Sequence, residues 1–109
     1  MKVLLDVGVS PRVRLALQAA LDGAPVESAV YHQWRSLSDA ELLAEASGHG
    51  FTVLVTTDKR LAEQQRHTDL AILAVDDNRL SSIRAALPDI AKAIRVLAPG
   101  DHTLIPTNL

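Results

Sequence analysis

Residues 52–59, Thr52-Val53-Leu54-Val55-Thr56-Thr57-Asp58-Lys59, decide how the chain is read. The first six are β-branched or aliphatic without exception, which predicts a strand buried on both faces and therefore central and parallel. A second apolar run, Leu70 to Val75, follows after a short helix expected to open at Asp58 or Lys59. Upstream, Lys2 to Leu5 reads as a short buried strand and Pro25 to Val30 as a weaker one. Between them, Pro11 suits a first helical turn, with Val13, Leu17, Ala20 and Leu21 at helical spacing and Gly23 just beyond. Ser38-Asp39-Ala40-Glu41 has the form of a capping box opening a helix that carries Leu42, Leu43 and Ala46 inward and ends near Gly48. After Val75, a further helical stretch is expected to begin around Asn78 to Ser81. It restarts at Pro88 with an apolar stripe of Ile90, Ala91, Ile94 and Leu97. Pro99-Gly100 then turns the chain into a last strand, His102 to Ile105. Strands alternating with helices predict an α/β fold, a three-layer sandwich around a central, mainly parallel sheet with right-handed crossovers. At 109 residues, one domain spanning 1–109 is the expectation.

Composition narrows the function classes. Aromatic residues make up 3% of the chain, so a run of exposed rings for stacking single-stranded nucleic acid is not available. The absence of cysteine excludes disulfides, thiolate zinc sites and cysteine nucleophiles. The first residues lack the long apolar stretch of a signal peptide, and no run is long enough to span a bilayer, so a cytoplasmic protein with no membrane partner is expected. A net charge of -2 argues against a uniformly positive nucleic-acid grip but allows a local basic rim. The five glycines form neither GxGxxG nor a P-loop. The histidines show no paired metal-ligand spacing, and Trp34 reads as a packing anchor before the Ser38 helix.

The acids lie where parallel sheets bind ligands, beyond the carboxyl ends of the strands. Asp6 follows the first strand, Asp58 the central one and Asp76-Asp77 the next, while Asp39 opens a helix at an element boundary. Carboxylates brought together repel unless a cation holds them, and their hard oxygens suit Mg²⁺ or Mn²⁺, which can activate water against a phosphodiester. Each acid also has a structural alternative: Asp after a strand is a common turn and N-cap residue, and Glu41 is best explained as the capping-box partner. Arg12, Lys59, Arg60 and Arg79 each follow an acid, where they would rim a shared edge and contact phosphates, or simply be solvated.

These residues resemble the PIN-like domains, in particular a shortened bacterial branch, over nearly the whole chain. Leu4-Leu5-Asp6 with Val9-Ser10-Pro11-Arg12 is similar to that branch's first strand and loop. Ser38-Asp39-Ala40-Glu41-Leu42-Leu43, Ala46, Gly50 and Val53 to Lys59 are similar to its most recognisable segment, a helix opening on one acid and a strand ending in Thr-x-Asp. Trp34, Gln64-Gln65 and Asn78-Arg79-Leu80 resemble features of one subgroup. The resemblance implies catalytic, metal-binding roles for Asp6, Asp39 and Asp58. Two positions depart from the pattern: Val7 stands where the branch commonly has a second acid, and no Glu matches the further helical acid of full-length members.

Three readings follow. The first is a Mg²⁺- or Mn²⁺-dependent ribonuclease, with RNA as substrate and an antitoxin protein or a second copy, as a homodimer, as partner. The second is a catalytically weak or inactive PIN-like module that binds a partner protein or nucleic acid. The third is a phosphoacceptor signalling domain, which fits less well because the usual acid pair after the first strand is missing.

Overall fold

The computed structural model describes residues 1–64 and 68–107. Gln65, named above, lies outside them. The expected alternation forms, as β1 (Val3–Leu5), α1 (Arg14–Ala20), β2 (Val26–Ser28), α2 (Asp39–Gly48), β3 (Val53–Thr56), α3 (Leu61–Gln64), β4 (Ala71–Val75), α4 (Leu80–Val96) and β5 (His102–Ile105). The five strands make one sheet in the order β2-β1-β3-β4-β5, and every pairing is parallel. The fold is therefore α/β, with β3 central as its uninterrupted aliphatic sequence requires.

Strand alternation splits the core into two layers. Val3, Leu5, Val53, Val55, Leu73 and Val75 face α1 and α4. Leu4, Leu54 and Ile72 face the other way, onto α2 and the start of α3 through Leu42, Leu43, Ala46 and Leu61. Arg95 ties α4 to the end of α1, donating from Nη2 to the Ala20 carbonyl at 2.7 Å and to Asp22 at 3.0 Å. Gly23 terminates that turn at φ +91°, where its N–H donates to the Gln18 carbonyl at 2.9 Å.

Three sequence expectations are corrected. Pro11 opens a 3₁₀ turn, Pro11–Val13, and α1 proper begins at Arg14. The helix after β3 starts at Leu61 rather than Asp58 or Lys59, because Asp58 Oδ1 accepts the Arg60 N–H at 3.0 Å and holds those residues in a turn. Most notably, α4 does not restart at Pro88 but runs through it. An interior proline costs about 3 kcal/mol or more. Here the buried stripe continues on both sides of it, with Ile83 and Ala86 before and Ile90, Ala91 and Ile94 after, so one apolar face holds the whole helix to the sheet.

Trp34 is a packing anchor of a kind the sequence does not reveal. Its ring stacks on His32 at 4.4 Å between centroids, and His49 and Phe51 meet it edge-on. His32 Nε2 lies 2.7 Å from Glu27 Oε1, which joins this ring cluster to edge strand β2.

Candidate functional site

The site is built by strand alternation at the carboxyl edge of the sheet. Leu4 faces α2, so Asp6, two residues on, projects to that same side, and Leu54 does the same for Thr56. The chain runs from β1 outward to β2, then returns past β1 to β3, so the direction of winding reverses between β1 and β3. That reversal opens a crevice outside the strand ends, the usual ligand position in such sheets. Asp6 and Asp58 flank it.

One buried hydroxyl links them. Thr56 Oγ1 donates to Asp6 Oδ2 at 2.7 Å and accepts the Asp58 N–H at 3.0 Å. The other Asp6 oxygen accepts the Val7 N–H at 2.7 Å. The neighbouring loops also approach closely: a Cβ on Gly8 would lie 2.5 Å from Thr57 Oγ1, so glycine is what lets the Asp6 loop press on the end of β3. Asp39 enters from the first turn of α2, whose capping box is complete. Ser38 Oγ accepts the Glu41 N–H at 3.2 Å, and Glu41 Oε1 accepts the Ser38 N–H at 3.0 Å. Glu41 is thus committed to the helix end, as expected.

Electrostatics connects the three acids. Burial pushes the Asp39 carboxyl above its ordinary range, and the negative charges of Asp58 and Asp6 push it further. Asp39 is thus near enough to Asp58 and Asp6 to respond to their charges. Their oxygens have the right hardness for Mg²⁺ or Mn²⁺. Their placement does not make a ready ligand set: among the described residues, no group of three or more His, Cys, Asp or Glu side chains could hold a metal ion.

The remaining candidates divide. Arg12, Lys59 and Arg60 are exposed around the edge. Arg79 is engaged with Asp77, at 2.6 Å from Nη2 and 2.7 Å from Nε. Asp76 and Asp77 fasten the chain beyond β5: Asp76 Oδ1 accepts the Thr107 N–H at 2.6 Å, and Asp77 N–H donates to Thr107 Oγ1 at 3.0 Å. Their role is a latch between β4, α4 and the C-terminal segment.

The latch has an acid signature. Arg79's side chain, then its backbone N–H, lower the Asp77 carboxyl from 3.8 to about 2. A carboxyl lowered by folding adds stability that is fully present above pH 3.8 and is lost as pH falls through 2. Asp77→Asn is therefore expected to lower the urea midpoint at pH 7, with the gap to wild type narrowing below pH 3.8 and closing only below pH 2. A gap independent of pH would mean the charge contributes nothing.

Sequence reasoning missed Thr56 as the link between the acids and missed His102 and Leu104, which line a cleft beside Asp58. The Thr-Thr-Asp spacing could have pointed to the first. No local signal marks the cleft, because β4 and β5 meet only through the fold. Comparison with protein-family models, curated proteins and solved structures gives no match. No helix among the described residues is long and apolar enough to cross a membrane.

Proposed function

We propose that the chain is a PIN-like, Mg²⁺- or Mn²⁺-dependent ribonuclease of the cytoplasm, with RNA phosphodiesters as substrate and an antitoxin protein as partner. Asp6, Asp39 and Asp58 are its acids, and Arg12, Lys59 and Arg60 its phosphate-facing rim. The observation that carries this reading is the Thr56-linked pair of Asp6 and Asp58 at the crevice between β1 and β3, beside an Asp39 carboxyl raised by burial and then by the charges of Asp58 and Asp6. A structural turn needs one carboxylate, not three that repel.

The second reading, an inactive binding module, draws on a different observation. Both Asp6 oxygens and Asp58 Oδ1 already accept hydrogen bonds from the chain itself, and no cation-ready group exists among the described residues. Calorimetric titration with Mn²⁺ separates the two. The ribonuclease reading expects a saturable heat that Asp6→Asn removes. No heat, or a heat unchanged in that variant, favours the binding module.

A further inference from the structure

We propose that the cleft beside Asp58, on the open face of β4 and β5, receives one unstacked nucleobase of a single-stranded RNA. The parallel register sets Ile72 opposite His102 and Ala74 opposite Leu104. Alternation puts these four on the face that α2 covers farther along the sheet. On β5 that face is exposed, with Leu104 50% open to solvent, while Ile72 and Ala74 on β4 lie deeper, at 2% and 6%. The resulting cleft holds about 320 Å³, with Ile72, Ala74 and Leu104 as its apolar floor and Asp58, Lys59, Glu63, His102 and Thr103 on its polar rim. That volume stands at the small end of the roughly 300–1,000 Å³ common for small-molecule sites.

The lining fits a flat ligand with apolar faces and polar edges. Aliphatic side chains and an imidazole pack against the face of a base, and Lys59 meets the phosphate that follows it. Phe51, Trp34 and Tyr31, the chain's aromatic residues, are not among the residues that line the cleft, so its stacking capacity is one base rather than a run. Asp58 belongs to both the cleft wall and the acid edge, so a base seated here carries its sugar and phosphate toward Asp6 and Asp39. A base still stacked and paired in a helix cannot enter, which selects single strands. The inference takes RNA as its ligand class from the ribonuclease reading; the cleft itself does not depend on it.

The test needs neither cation nor cleavage. The full chain, methyl-labelled and free of divalent metal, is titrated with adenosine 5′-monophosphate and, separately, with ribose 5-phosphate. The nucleotide is expected to shift the methyl resonances of Ile72, Ala74 and Leu104, and the sugar phosphate is not. Leu104→Gln, a neutral change at a position already open to solvent, should weaken nucleotide binding at least tenfold with an unchanged urea midpoint, and His102→Ala should weaken it as well. Asp6→Asn should leave the shifts intact. Unmoved methyls, equal shifts with ribose 5-phosphate, or full affinity in both cleft variants would overturn the proposal. RNA cleavage without these shifts removes the cleft alone, whereas these shifts in a chain that never cuts RNA remove the ribonuclease reading alone.

Discussion

Asp6→Asn is expected to reduce RNA cleavage by at least about 100-fold, a loss on the scale seen when a residue supporting a metal site is removed. The substitution keeps the size of the side chain, and the amide oxygen still accepts one of the two hydrogen bonds, from Val7 N–H or from Thr56. Asp6 is only partly buried, so the amide group remains open to water. What disappears is one negative charge at the crevice between β1 and β3. A gel assay of a labelled single-stranded RNA in Mn²⁺, with the urea midpoint as a fold control, reads both effects. Undiminished cleavage in a folded variant would remove Asp6 from the site. Asp39→Asn should differ in one respect. Because the folded chain raises the Asp39 carboxyl, ionising it opposes folding, and the opposition grows as pH rises through its shifted value. The variant should therefore lose cleavage while its midpoint at pH 7 rises, the pattern of a functional group kept at a cost in stability.

The elements that carry local signals were legible in the sequence. Val53 to Thr56 reads as central because no polar residue interrupts it, and Ser38 with Glu41 reads as a helix start because both partners lie within one turn. The acids after β1 and β3 could be placed at one sheet edge from the order of elements alone. What was not legible depends on contacts between distant residues. Pro88 looks like a break, and only the burial of Ile83 and Ile94 against the same sheet shows why the helix continues. Asp76 and Asp77 look like Asp6 and Asp58 in sequence. Their partner, Thr107, is about 30 residues away, and its hydroxyl turns them from candidate ligands into a latch. The pairing of Thr56 with Asp6 spans 50 residues in the same way. Period and capping are properties of a window, whereas the distinction between a functional and a structural aspartate here is made by the partner that the fold supplies.

Thr56→Val tests that distinction most directly. The two side chains have nearly the same shape, but the hydroxyl is not replaceable by a methyl group when it carries hydrogen bonds. Thr56 is fully buried, and its oxygen serves a carboxylate on one side and a backbone N–H on the other. Removing it leaves both without that partner, for an expected loss of about 2 kcal/mol, within the range for a hydrogen bond to a charged group and its unsatisfied remainder. Urea denaturation measures this loss. The consequence for function follows from the same geometry: with the link gone, Asp6 and Asp58 are no longer held at a fixed separation, and RNA cleavage should fall with the stability. Thr56→Ser keeps the hydroxyl and gives up only the methyl, so it should destabilise through the lost packing while retaining cleavage. If valine cuts RNA as well as threonine does, the hydroxyl is a fold device and the acids do not depend on it. If serine fails along with valine, packing at the end of β3 rather than the link governs the site.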